Sequence, residues 1–183
     1  MMTDPILRTE RLVLRPWRQE DLAPFAALNG DARVMVYFQA PLTEAQTSDV
    51  MARVMSDFER DGWGLFAVEV PGLWPFAGFV GLARPHFEAR FTPCVEIGWR
   101  LTYEAQGRGF ATEAARRVVR FAFEQLRLPE LVSFTVPRNL PSRRVMEKLG
   151  MQLDGEFDHP AIPEGHPLRR HVLYRLRRSS THG

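Results

Sequence analysis

An α/β domain built on one mixed sheet of about seven strands, flanked by helices, is the fold that this sequence predicts. Three observations predict it. Period-2 apolar alternation and 3.6-residue apolar spacing follow one another along the whole chain. One apolar strand, Val95–Leu101, leads through a small-residue loop straight into an amphipathic helix. No Pro-, Gly- or Ser-rich linker divides the 183 residues, a length that suits one full core.

Arg11–Pro16 alternates and reads as a half-buried first strand. Glu20–Leu28 reads as a helix with Leu22, Phe25 and Ala26 inward, and a second helical stretch is expected from about Asp31. Pro41 and then Thr43-x-x-Gln46 start a longer helix, because a threonine and a glutamine at this spacing satisfy each other's backbone N–H groups. Its apolar face is Val50, Met51, Val54, Met55 and Phe58, and Gly62 stops it. Trp63–Val70 and Phe76–Arg84 are two strands joined by a turn with Pro71, Gly72 and Pro75. After Val95–Leu101, the next helix carries Ala115, Val118, Val119, Ala122, Phe123 and Leu126 at helical spacing.

Leu131–Val136 is a fifth strand, Ser142–Leu149 a helix closed by Gly150, and Met151–Phe157 a sixth strand. Arg170–Leu176 is a seventh, with Val172, Tyr174 and Leu176 on one face. Asp158–Leu168 holds three prolines and a glycine and is expected to be an irregular surface loop. The expected order is β-α-α-α-β-β-β-α-β-α-β-β.

Composition narrows the function classes. Hydrophobic residues at 45% and charged residues at 25% describe an ordinary globular chain. A formal charge of +2 gives no electrostatic case for a nucleic-acid partner. Lys148, the only lysine, is not in a Gly-Lys-Ser/Thr context, which excludes a Walker phosphate loop. The single cysteine, Cys94, excludes an intrachain disulfide and points to a reducing compartment. With no secretory signal pattern and no apolar run long enough for a bilayer, a cytoplasmic location without membrane partner is expected. No metal-ligand pattern stands out.

The chemistry concentrates in Val95–Ala115. A strand ending in a loop with Gly107 and Gly109, opening directly onto a helix, aims backbone N–H groups and a helix N-terminus at one spot. Small residues let a phosphate approach that backbone. A tight turn without ligand is the plain alternative. A dinucleotide fingerprint fails, because Thr112 stands where a third glycine is needed. Glu96, mid-strand among apolar residues, is either a salt-bridged carboxylate or a general base for an amine, since a partly desolvated carboxylate is the better base. His86, past a strand end, is a second base candidate against a plain surface reading. Cys94 has no evident partner histidine and reads as a small buried residue.

Gln106-x-x-Gly109-x-Ala111, followed by Asn139-x-x-Ser142-x-x-Val145-x-x-Lys148-Leu149-Gly150, resembles the GNAT superfamily of acyl-CoA-dependent N-acyltransferases. The opening Leu7–Arg15 and the run Val95–Ala111 are most similar to its ribosomal-protein N-acetyltransferase (RimJ/RimL-type) branch, and the likeness extends to the closing Val172–Leu176. The resemblance implies a single GNAT-like domain over residues 1–178, a sheet splayed in the middle, and a short polar tail at 179–183. It implies acetyl-CoA as cosubstrate, its pyrophosphate on Gln106, Gly107, Arg108, Gly109, Ala111 and Thr112. It gives Trp99, Arg100 and Leu101 backbone contacts to the pantetheine arm, which completes the open strand like a short extra strand.

Asn139 is implied to hold that arm, beside its plain reading as a helix N-cap. Arg143 and Arg144 stand either near the adenosine phosphate or in solvent. Many relatives place a tyrosine where this chain has Met146, which cannot donate a proton. Ser142 is then the implied partner of the leaving thiolate, against an ordinary first-turn serine. The implied reaction is transfer of acetyl to a protein N-terminal alanine-type amine or a small amine, by direct attack in a ternary complex. The protein is expected as monomer or homodimer. A non-catalytic acyl-CoA-binding module on the same fold, and an unrelated α/β nucleotide-binding protein, are the alternatives. CoA release with an amine panel separates the first from an enzyme.

Overall fold

The computed structural model describes residues 5–179, so most of the expected polar tail lies outside the described residues. The elements are β1 (Leu7–Arg8), β2 (Val13–Arg15), α1 (Leu22–Gly30), α2 (Glu44–Asp61), β3 (Leu65–Val70), β4 (Trp74–Ala83), β5 (Glu96–Leu101), α3 (Phe110–Arg120), β6 (Glu130–Thr135), α4 (Leu140–Lys148), β7 (Gln152–Asp158) and β8 (Arg170–Arg177). The eight strands form one mixed sheet in the order β1-β2-β3-β4-β5-β6-β8-β7. β5 and β6 run parallel, while β1–β2, β2–β3, β3–β4, β6–β8 and β7–β8 are antiparallel.

Three expectations change. The first strand begins at Val13 rather than Arg11, and a short β1 precedes it, pairing Leu7 with Leu14 and Arg8 with Val13. Two residues are too short to show a period, so sequence patterning misses β1. The helical stretch expected from Asp31 is a run of separate turns. Asp31 Oδ1 accepts the Arg33 backbone N–H at 2.9 Å, an aspartate turn that competes with helix propagation. In β8, Val172, Leu173 and Tyr174 are all buried, so the expected one-sided alternation fails. On one face Tyr174 meets Arg143 and Glu147 of α4, and on the other Leu173 packs with Phe91 and Phe157, so β8 is covered on both faces and loses its solvent side.

Contacts divide the chain into two compact units: Met1–Leu82 with Gly98–Val118, and Ala83–Ile97 with Val119–Gly183. In the first, α2 starts on the expected capping box. Thr43 Oγ1 accepts from Gln46 N at 3.2 Å and Gln46 Oε1 from Thr43 N at 2.9 Å. Its Met51 and Val54 join Trp17, Phe25, Leu28, Phe76 and Phe79 in an aromatic-rich core. Arg15 is buried there with its charge answered by Asp21 at 2.8 Å and Glu69 at 3.1 Å. Gly78 on β4 has a φ of 131°, and a Cβ there would meet the Arg100 carbonyl oxygen at 2.2 Å, so only glycine admits β5 this closely.

In the second unit, Phe91, Val132, Phe157 and Leu173 form the core, with Phe87, Cys94 and Phe134 packed on it. Arg175 bridges Glu130 and Asp154. The β5–β6 ladder is confined to Glu96 opposite Val132, with Val132 N donating to Val95 O at 3.0 Å.

Candidate active site

β5 ends at Leu101, and a short turn at 103–105 carries the chain into the exposed stretch Gln106–Gly109 before α3 begins at Phe110. Gly107 and Gly109 take φ of 71° and 83°, left-handed values that favour glycine. Nothing lies within 4 Å of a Cβ built on Gly107, and one on Gly109 would meet only the Arg11 Nη2 end at 3.3 Å. The space before the loop is therefore open. Glu113 N is the first N–H of this turn to find a backbone acceptor, Gly109 O at 3.0 Å. The N–H groups of 107–112 donate to no other backbone carbonyl among the described residues. Unsatisfied N–H groups on an open, glycine-lined helix start make a phosphate cradle.

Side chains hold that cradle in shape. Gln106 Nε2 donates to Leu101 O at 3.1 Å, tying the loop to the strand end. Arg108 Nε donates to Glu104 O at 2.9 Å, and its guanidinium lies 5.3 Å from the Trp74 ring. Sequence reading missed the strongest brace. Glu113 accepts from Thr9 Oγ1 at 2.5 Å, from Arg11 N at 3.0 Å and from Arg11 Nε at 2.7 Å. Arg11 Nη1 then donates to Arg108 O at 3.1 Å. Burial pushes the Glu113 carboxyl up, but the Thr9 and Arg11 hydrogen bonds outweigh it and hold it below the usual range. Ala111 and Thr112 lie half-buried in the first turn of α3.

Earlier on β5, Trp99 is half-buried and Leu101 buried. Arg100 donates from Nη1 to Asn29 Oδ1 at 2.6 Å, and its guanidinium sits 4.2 Å from the Phe38 ring.

In the second unit, Glu96 opens β5. Its carboxyl has no hydrogen bond or ion pair among the described residues, and burial alone pushes it up to about 8. Part of the side chain still meets solvent. Cys94 is also pushed up, to about 11, by burial first and by the nearby Glu96 charge second, which keeps it a protonated, inert thiol. Asn139 caps α4: Oδ1 accepts from Ser142 N at 3.2 Å, while Nδ2 donates to Thr135 Oγ1 at 2.9 Å. The Ser142 hydroxyl is half-buried and makes no hydrogen bond to another described residue.

Arg143 turns inward, donating to Pro137 O at 3.0 Å and Tyr174 Oη at 3.3 Å, whereas Arg144 stays exposed. Met146 is core, at 1% exposure. His86 is exposed beyond the end of β4. Among the described residues no cluster of three or more His, Cys, Asp or Glu is placed to hold a metal. No described helix is long and apolar enough to cross a membrane.

The profile of the Acetyltransferase (GNAT) domain matches residues 11–152. The chain belongs to the GNAT family of acetyltransferases. It is 38% identical over 160 residues to an uncharacterised N-acetyltransferase, YnaD, of Bacillus subtilis, covering 87% of this chain and 89% of the relative. It is 31% identical over 155 residues to the spermidine N(1)-acetyltransferase of Escherichia coli, covering 83% of this chain and 78% of that one. An acetyltransferase from Agrobacterium tumefaciens superposes with a TM-score of 0.77 at 30% identity, covering 97% of each chain. The chain is thus a GNAT N-acetyltransferase, and its family uses acetyl-CoA and an amine acceptor. The cradle at Gln106–Thr112 fits a CoA pyrophosphate: it is open, glycine-lined and rich in free N–H donors.

Proposed function

We propose that this acetyltransferase is of the ribosomal-protein N-acetyltransferase (RimJ/RimL-like) type, with a catalytic domain over residues 1–178 and a cytoplasmic site of action. In this reading it transfers acetyl to a primary amine, a protein N-terminus or a small amine, by direct attack in a ternary complex. The observation that carries it is the open strand–glycine loop–helix turn whose N–H groups at 107–112 donate to no backbone carbonyl among the described residues. Gln106, Gly107, Arg108, Gly109, Ala111 and Thr112 hold the pyrophosphate. The main chain of Trp99, Arg100 and Leu101 and the Asn139 side chain take the pantetheine amides. The Asn139 amide keeps one N–H and one lone pair beyond its cap bonds. Arg143 braces α4 and keeps Nη2 for the nucleotide end.

The chemistry follows from the balance of protons. The acceptor arrives as an ammonium and must lose a proton before its nitrogen has a lone pair. Glu96 takes that proton, and a carboxylate moved up to about 8 is far closer to an amine in basicity than an ordinary one. The amine nitrogen then attacks the thioester carbonyl carbon. A main-chain N–H near Trp99–Leu101 stabilises the oxyanion. The C–N bond forms, the C–S bond breaks, and the CoA thiolate accepts a hydrogen bond and then a proton through the Ser142 hydroxyl.

CoA release with acetyl-CoA and a panel of ribosomal N-terminal peptides, amino acids and polyamines tests the reading. Acetylated amine together with equimolar free CoA supports it. Tight acetyl-CoA binding without turnover on any amine would instead make the chain a binding module.

A further inference from the structure

Arg100 carries a charge that no group of opposite sign answers among the described residues. Its Nη1 donates to the neutral, fully buried Asn29 Oδ1, and Phe38 and Phe79 lie at 4.2 Å and 5.4 Å from the guanidinium. Its Nε is buried and donates to nothing. The contrast within the same chain is sharp. Arg15 has Asp21 and Glu69, and Arg175 has Asp154 and Glu130. Arg100 keeps some solvent contact, but a cation largely withdrawn from water without a counter-ion is costly, and burial lowers its guanidinium to about 10.

A second unsatisfied atom lies beside it in sequence. Among the described residues, the buried side-chain polar atoms without a partner are Arg100 Nε and Thr102 Oγ1. Native proteins leave few such atoms, and two of them two residues apart in extended chain indicate a missing ligand rather than a packing accident. Both are donors.

We propose that Arg100, with the Thr102 hydroxyl beside it, recognises a carboxylate carried by the acceptor amine. The word acceptor rests on the acetyltransferase reading above; the anion site itself does not. The free Nε edge of a guanidinium presents two parallel N–H donors, the fork that matches a planar carboxylate. The groups touching Arg100 are neutral, so the site offers one uncompensated positive charge and suits a monoanion better than a phosphate dianion. Phe38, 44% exposed between α1 and α2, covers the guanidinium with a side chain that has room to turn aside. A polyamine would meet repulsion here, so this chain's preference departs from that of its spermidine-acetylating relative.

The test uses the full chain saturated with CoA. Glycine, β-alanine and 4-aminobutanoate are each compared with their primary amides by calorimetry, and with acetyl-CoA by turnover. The expected result is that a carboxylate binds at least about tenfold tighter than its amide. Arg100→Gln should abolish that preference and Arg100→Lys should keep part of it, each judged as the carboxylate-to-amide ratio within one protein, so that any change in CoA affinity cancels. The proposal is overturned if no pair prefers the carboxylate in the wild type, a comparison that needs no variant to fold, or if the preference survives in Arg100→Gln. Carboxylate preference in binding without acetylation of any amine would sink the acceptor reading and leave the anion site. Turnover on amides without carboxylate preference would do the reverse.

Discussion

Replacing Glu96 by glutamine should make the protein more stable and less active, and the stability gain should grow with pH. The sign follows from linkage. Burial raises the Glu96 carboxyl from 4.5 to about 8, so between those values the native state keeps a proton that the unfolded chain releases. Wild-type stability therefore falls as pH rises through that window and levels off above about 8. Each pH unit is worth up to ~1.4 kcal/mol, which sets a ceiling near ~5 kcal/mol. Residual solvent contact screens the charge, so a gain of ~1–3 kcal/mol at pH 8.5 is the working expectation. Glutamine has no proton to lose and keeps the size of the protonated acid.

Urea unfolding of both proteins at pH 5, 6.5, 8 and 9 measures the difference, in which other titrating groups cancel. At pH 5 the two should nearly coincide. By pH 9 the variant should unfold at a higher urea midpoint with an unchanged slope, and a parallel thermal melt should rise by ~2–4 °C per kcal/mol for a chain of this size. A difference that stays constant with pH, or one that favours the wild type at high pH, would refute the reasoning: Glu96 would then be paired or solvated. The rate should move oppositely. Below about 8 both rates climb with pH in parallel and the variant is slower. Above it the wild-type base is fully ionised while the variant still gains free amine, so the gap narrows.

Other expectations concern the cradle and the thiolate. Gly109→Val should abolish acetyl-CoA binding while the chain still folds, because a φ of 83° disfavours a β-branched residue and the new side chain faces open loop space, near only the Arg11 terminus; calorimetry checks it. Acetyl-CoA at a hundred times Kd should stabilise the wild type by roughly 2.7 kcal/mol, read as a thermal shift, and this shift should vanish in Gly109→Val. Glu113→Gln should weaken CoA binding and cost ~1–2 kcal/mol near neutral pH by loosening the Arg11 brace. That contribution has the opposite pH sign to Glu96, being present above the ordinary glutamate range and lost as pH falls below it. Ser142→Ala should lower kcat by ~10–100-fold with acetyl-CoA affinity unchanged, since a thiolate exists only late in the reaction; steady-state kinetics with one amine decides it.

The sequence by itself determined the features that one short segment encodes. The Thr43–Gln46 capping box, the left-handed glycines at 107 and 109 and the strand that runs into them are set by local sterics and hydrogen bonding. Asn139 as a helix cap is local in the same sense. Local reasoning failed where a distant segment decided the outcome. β1 exists only because Val13 and Leu14 pair with it, and β8 loses its alternation because α4 covers one face and the Phe91–Phe157 cluster the other. The brace on the cradle joins Arg11 to Glu113, 102 positions apart, a contact that no spacing rule contains.

The same holds for charge. Composition counts Glu96 and Arg100 as one acid and one base among many. Only the tertiary structure takes them largely out of water and leaves each without an opposite charge among the described residues. Desolvation is a sum over everything packed around a group, so it has no signature in the residues beside it in the chain.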